Sequence, residues 1–284
     1  MKNIISNLKS QKMSSTFLAL LFCGGFSVAA PIIGSVSTAT GGTGRGAIEP
    51  VDGVLLNPSS VAQLKSKFFS FNYSKDQLGL TISDNGKDAL FPAALAFVRS
   101  EKENFKTQDM ALVIAYRVAP RLSLGTTISM VEYVQDLKGL EQKNRQTVGD
   151  IGASILINKE ISVGVVANKI FSSSCELDSA LQKQKSYGAG MNFTYQNFVR
   201  FRFDVESAPE NKTNKLIYMG GVETYMNDWV VARFGYQNNN VLAKNYMTAG
   251  AGFAGPQFGI HYAYLTNVSD RNEDRHSVDL GIPF

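Results

Sequence analysis

The sequence predicts an all-β protein, a transmembrane antiparallel up-and-down β-barrel of about 14 strands whose lumen is plugged by a short amino-terminal segment. Three observations predict it. The chain closes on an alternating stretch that ends in Phe284, further alternating segments of strand length fill it from Lys67 onward, and the connections between them are short and long by turns.

The closing stretch runs His276, Ser277, Val278, Asp279, Leu280, Gly281, Ile282, Pro283, Phe284. Counting back, Phe284, Ile282, Leu280 and Val278 share one face, while Gly281, Asp279 and Ser277 share the other. A terminal strand of a soluble sandwich is the blander reading of this period. The pattern resembles the last strand of bacterial outer-membrane barrels, whose terminal Phe is read by the barrel assembly machinery; on that resemblance Phe284 is the assembly signal.

Composition is compatible with such a barrel. Charged residues make up 18% of the chain, which carries 25 Gly and 18 Phe. No apolar run beyond the amino terminus is long enough to cross a bilayer as a helix. A barrel strand needs only about 9–11 residues and shows an apolar side chain at every second one.

The amino terminus reads as export. Lys2, Lys9 and Lys12 precede an apolar stretch from Phe17 to Phe26, and small residues follow through Ser27, Ala29 and Ala30. This order predicts a signal peptide over 1–29. A lipoprotein signal would use Cys23, but the bulky Phe22 before it disfavours that, and the stretch is short for an uncleaved anchor. Of the 28 Lys and Arg, three lie in the signal, leaving 25 against 24 Asp and Glu. The mature chain is therefore nearly neutral, with no clustered basic face for nucleic acid. Cys23 leaves with the signal, and Cys175 alone forms no internal disulfide.

Residues 30–66 form the expected plug. Gly41, Gly42, Gly44 and Gly46 crowd around Arg45, and no Lys-Ser/Thr pair follows as a phosphate loop would require, so tight backbone turning is the better account. Asn57 is a good N-cap and Pro58 a good first residue, predicting a short helix from Pro58 to Leu64. Gly44-Arg45-Gly46-Ala47, then Asp52, then Asn57-Pro58-Ser59 ahead of the first strand is similar to the amino-terminal region of FadL-type outer-membrane transporters and the related PorV-type proteins. Those families carry Asn-Pro-Ala-Gly-Leu-Ala; here Ser59 and Ser60 stand where Ala and Gly would, and Val61 where Leu would. The motif covers under a tenth of the chain and says nothing of substrate.

The barrel is expected over 67–284, with strands at 67–75, 77–83, 88–99, 109–118, 121–134, 146–157, 160–171, 185–196, 198–206, 215–226, 229–238, 246–254, 257–267 and 275–284. A single-chain bacterial barrel with both ends in the periplasm needs an even number, which keeps the weak second strand. Short turns near residues 120, 159, 197, 227 and 255 fall on the periplasmic side, and Asn85-Gly86 suggests a tight hairpin there. Longer external loops alternate with them at 100–108, 135–145, 172–184, 207–214, 238–245 and 268–274.

Parity assigns the faces. In Phe198–Glu206 one face is Val199, Phe201, Phe203, Val205 and the other Arg200, Arg202, Asp204, Glu206. Arg in mid-bilayer costs about 2–4 kcal/mol, so the charged face looks inward. The same test places Arg117, Asp150, Asn192, Glu223, Arg233, His261 and Asp279 in the lumen, with Leu112, Ile114, Tyr116, Ile151, Phe234 and Tyr236 outside. Tyr and Trp229 near strand ends would form interfacial girdles. Most strand glycines also fall inward, among them Gly125, Gly152, Gly164, Gly188, Gly221 and Gly235. That signals either close approach of another segment or coiling of a narrow barrel.

No constellation reads as an enzyme, a metal centre or a cofactor site: the two His lie apart, and ligand clusters at fixed spacing are missing. A wall-borne Ser-His hydrolase is not excluded by spacing. The inward charges either pair across neighbouring strands or set the field a solute meets. The FadL resemblance implies passive transport of small hydrophobic or amphipathic molecules, with outer-membrane lipids, the assembly machinery and such a solute as partners. The alternatives are a PorV-like scaffold or docking barrel, a structural barrel, and an open porin if no plug forms.

Overall fold

Each alternating segment forms a strand: β1 Phe68–Ser74, β2 Gln77–Asp84, β3 Ala93–Lys102, β4 Phe105–Ala119, β5 Leu122–Leu137, β6 Leu140–Leu156, β7 Ile161–Ser172, β8 Ser186–Tyr195, β9 Val199–Ser207, β10 Leu216–Tyr225, β11 Val230–Asn239, β12 Lys244–Ala254, β13 Gly259–Asn267 and β14 Asp274–Pro283. The computed structural model describes residues 34–137, 140–209, 216–270 and 273–284. The signal peptide expected over 1–29 and the first residues of the expected plug, 30–33, lie outside them. Every strand pairs antiparallel with its neighbours in sequence, and β1 pairs with β14, with Phe71 opposite Leu280, so the sheet closes. Closure satisfies the backbone groups that an open edge would leave bare in lipid.

Outward and inward side chains differ sharply along one strand. On β9 Phe203 is 53% exposed, while the adjacent Arg202 is 1% exposed. Exposed Leu112, Ile114, Ile151, Val165, Phe234, Ile260 and Ile282 continue the apolar exterior around the barrel. Trp229 meets Phe253 edge-on at 5.9 Å, and Phe253 lies 5.6 Å from Phe258, an aromatic cluster at the short-turn end. Such rings settle at a headgroup boundary.

Two connections differ from expectation. The expected loops at 100–108 and 135–145 are mostly ladder, since Lys102 pairs with Phe105 and Leu137 with Leu140. Apart from Phe105, Leu137 and Leu140 their residues are polar or glycine on both faces, so apolar alternation vanishes although backbone pairing continues. Conversely, Asn85-Gly86 makes no tight hairpin: 85–92 is irregular and β3 begins at Ala93 rather than 88. Asp84 and Asn85 accept bonds from the Gly86 and Lys87 amides, Gly86 has φ 74°, and Pro92 has no amide to offer a ladder.

The plug lies inside. It comprises α1 Ser35–Ala39, α2 Gly53–Leu56 and a 3-10 turn Pro58–Gln63. The tight form of that last turn follows from Asn57, whose side chain accepts from the Ser59 amide at 3.2 Å and the Ser59 hydroxyl at 2.7 Å. Val54, Val61, Ala62 and Leu64 pack on Ala94, Val113 and Ala115 of the wall, a lumenal core in which each fully buried Val or Leu contributes about 1.5–3 kcal/mol. α1 packs against β11 to β14 at the opposite wall.

The inward glycines trace the plug. A methyl group on Gly125 would strike the Pro58 carbonyl and the Ser59 amide, and one on Gly235 would strike the Thr40–Gly41 backbone. Backbone meets backbone at these points, which only glycine permits. Close approach, rather than coiling alone, accounts for glycine at both positions.

Candidate functional site

Arg45 is the centre of the plug's attachment. Its side chain is 4% exposed; Nη1 lies 3.2 Å from Asp204 and Nη2 pairs with Glu206, both from β9. Asp204 Oδ2 also accepts the Gly44 and Arg45 amides at 2.9 and 2.8 Å. One turn of glycine-rich chain therefore presents three donors to one carboxylate. Gly44, with φ 153°, gives the turn its shape, and Gly46 passes so close to Gly190 that a side chain would strike the β8 backbone.

A second group holds the next stretch of plug. Glu49 pairs with Arg200 at 2.6 Å and Arg202 at 2.7 Å. Glu223 gathers Arg233 at 2.5 Å, Arg200 at 3.0 Å and Arg202 at 3.3 Å, and Arg233 reaches the ring of His261 at 3.2 Å. Cross-strand register makes this possible, since Glu223 lies opposite Arg200 on one side and Arg233 on the other. Asn192 sits beside Arg202 in register and its Oδ1 is buried without a partner.

Two carboxylates hold α1. The Ser35 amide donates to Asp279 at 2.5 Å, and the Ser37 amide donates to Asp52 at 2.6 Å. Burial first, then the neighbouring Asp279 carboxylate, push the Asp52 carboxyl up to about 7, against the lowering pull of the Ser37 amide. Asn57 ties the plug to itself and to β6, donating to the carbonyls of Arg45 at 2.8 Å and Ala153 at 3.2 Å. Arg117 reaches the Ala62 carbonyl at the end of the 3-10 turn.

Asp150 has a separate task. β6 and β7 lose register between Gly149 and Ile151, and Lys169 takes φ 52°. Asp150 Oδ1 accepts the Lys169 amide at 2.7 Å, filling the bulge, while Oδ2 takes Lys183 at 3.0 Å. The sequence-derived lumen residues thus divide into a charged and polar set on β8 to β11, β13 and β14, Arg117 on β4, which also bonds the plug, and this bulge carboxylate on β6.

Beside Asp150 lies a cavity of about 150 Å³. Leu55 and Leu56 of α2 form its floor with Arg45; Ala96, Val98, Ala111 and Val131 form its wall; Leu181 and Lys183 close it from the loop end. The roof is the connection between β7 and β8. It turns inward because Leu177 and Leu181 pack on Val131, Tyr133 and Val148. The Tyr133 hydroxyl accepts the Lys183 amide at 2.9 Å, and Gln146 bonds Gln182 at 2.8 Å. Burial works against charge on Lys183, yet Asp150 and Asp109 outweigh it and hold its pKa above the ordinary lysine value.

Asp109, Tyr133, Leu181 and Lys183 were not singled out from the sequence as site residues. Asp109 shares the inward parity of Arg117, and Leu177 and Leu181 are apolar residues in an otherwise polar loop. Those were the available signals.

A closed antiparallel barrel with an apolar exterior, a charged interior and a folded segment in its lumen is the architecture of a membrane-spanning β-barrel. Among solved structures it is similar to the toluene transporter TodX of P. putida: TM-score 0.68, 11% identity, covering 88% of this chain and 98% of that one. The CymD monoaromatic hydrocarbon channel matches at TM-score 0.62 and 13% identity, covering 89% and 97%. A Pseudomonas aeruginosa FadL homologue matches at TM-score 0.62 and 9% identity, covering 89% and 98%. The chain thus shares the fold of FadL-type barrels. No protein-family model matches the chain, and no curated protein matches it in sequence.

Proposed function

We propose that the protein is an outer-membrane barrel that passes small hydrophobic or amphipathic solutes, passively, down their gradient. The observation that carries this reading is the cavity between the inturned β7–β8 connection and α2 of the plug: a largely apolar chamber inside the barrel, bounded by the loop on one side and by the plug on the other. The names of the similar structures, toluene transporters and a monoaromatic hydrocarbon channel, support the same solute class. A solute enters from the loop end, rests above α2, and leaves when residues 48–56 shift. The test is initial uptake of radiolabelled toluene by Gram-negative cells carrying the protein, compared with cells carrying Leu181→Trp, which fills the chamber. Faster uptake only with the open chamber is expected; equal rates in both and in cells without the protein would refute transport.

One feature favours a second reading. The plug is held by several buried charged groups at once, as a permanently sealed scaffold or docking barrel would require. In that case uptake is unchanged and pulldown from membranes recovers a stable partner beyond the assembly machinery.

A further inference from the structure

The cavity is not electrically neutral. Asp109 from β4 and Asp150 from β6 line it, and Lys183 is the cation opposite them. Lys183 donates to Asp150 at 3.0 Å but stands 3.9 Å from Asp109 Oδ2, beyond hydrogen-bond reach. Asp109 Oδ1 is buried without a hydrogen bond of standard geometry, and the Ser129 hydroxyl on the neighbouring strand offers it only a neutral donor. Arg45 also borders the chamber, but Asp204 and Glu206 already claim its charge. Two carboxylates therefore face one available ammonium, and Asp109 has no charged donor within hydrogen-bond reach.

Size narrows the ligand as charge does. An apolar chamber of roughly 150 Å³ holds a single benzene-sized ring. Its walls suit the ring; Asp109, whose cation stands 3.9 Å away, suits a donor, and a charged donor makes the stronger bond to a carboxylate.

We propose that this chamber is a selective site for small ring-sized amines, the ring resting on Leu55, Leu56 and Val131 and the ammonium donating to Asp109. With Lys183, a bound amine makes two ammonium groups for two carboxylates. Binding also gives Asp109 a charged donor without disturbing the Lys183–Asp150 pair that closes the roof. The physiological meaning of the site rests on the transport reading, whereas the binding itself is measured apart from it.

The test uses the full barrel in nanodiscs, with empty nanodiscs subtracted, and four nearly isosteric probes: benzylamine, benzyl alcohol, toluene and phenylacetate. Isothermal titration at neutral pH is expected to give benzylamine a Kd at least tenfold below those of benzyl alcohol and toluene, with phenylacetate weakest. Asp109→Asn keeps the shape of the site and is expected to bring benzylamine and benzyl alcohol within about twofold of each other, while toluene binding holds. Leu181→Trp is expected to abolish binding of all four. Toluene or phenylacetate binding as tightly as benzylamine, an amine preference that survives Asp109→Asn, or benzylamine binding that survives Leu181→Trp would each overturn the proposal. Heat-modifiable gel mobility confirms that each variant is a folded barrel. If cells show no uptake but this binding order holds, transport fails and the amine site stands.

Discussion

Replacing Arg45 with Met tests whether buried charge holds the plug. The substitution keeps most of the side chain's volume but removes the guanidinium, leaving Asp204 and Glu206 at 5% and 4% exposure without their cation. Removing one partner of a buried ion pair costs about 3–5 kcal/mol, because the other charge stays desolvated. The Gly44 and Arg45 amides still reach Asp204, so the lower part of that range applies to Asp204; Glu206, whose cation was Arg45, bears more. At about 1.4 kcal/mol per decade, the seated-to-unseated ratio of the plug falls by roughly a hundred- to several-thousand-fold. In planar bilayers the wild-type barrel is expected to stay closed, and the variant to show frequent openings to small ions. Adding Asp204→Asn and Glu206→Gln to Arg45→Met removes the stranded charges and is expected to restore much of the closed time. A variant as silent as the wild type, with unchanged thermal unfolding, would refute the claim that this cluster secures the plug.

Asp52 gives a pH dependence of defined sign. Its carboxyl titrates near 7 in the seated plug against an ordinary 3.8, so the seated state favours the proton. The resulting stability is complete below about pH 4 and is lost as pH rises through about 7; resistance of the 34–64 segment to added protease should fall over that window, and Asp52→Asn should flatten the profile. Asn57→Ala strands the Ser59 amide and the Arg45 carbonyl in a buried site, each worth about 1–3 kcal/mol, and should lower the unfolding temperature measured by circular dichroism. Deleting Phe284, which is 62% exposed and bonds through its amide to the Lys67 carbonyl, should slow insertion and leave unfolded protein in the periplasm, read by membrane fractionation; normal yield would refute its role as assembly signal.

Strand positions were legible because the bilayer imposes a rule on each residue: on β9 no arrangement other than charged-inward puts Arg200 and Arg202 in water or against carboxylates. Where the bilayer ends the rule lapses, and the ladder from 100 to 108 and from 135 to 145 became invisible, since Lys106-Thr107-Gln108 alternates nothing. The 85–92 connection failed for the opposite reason, since the apolar Leu90 and Phe91 imitate a strand, yet they are 93% and 51% exposed beside Pro92. The inward glycines left a lumenal segment and coiling of a narrow barrel as alternatives, and at Gly125 and Gly235 it is backbone contact that left the mark on composition. The chamber left none. It arises where Asp109, Lys183 and Leu55, far apart in the chain, converge, and no local period encodes such a meeting.

Asp279 joins two events that are usually described apart. It sits on the last strand, where it takes Asn72 of the first strand across the closing seam and the Ser35 amide of the plug. Until β14 meets β1, that carboxylate lacks its Asn72 tie, and α1 has only part of its socket. Zipping the wall shut and shutting the passage are thus coupled: a half-assembled wall holds its stopper loosely, so the stopper's grip reports that assembly is complete.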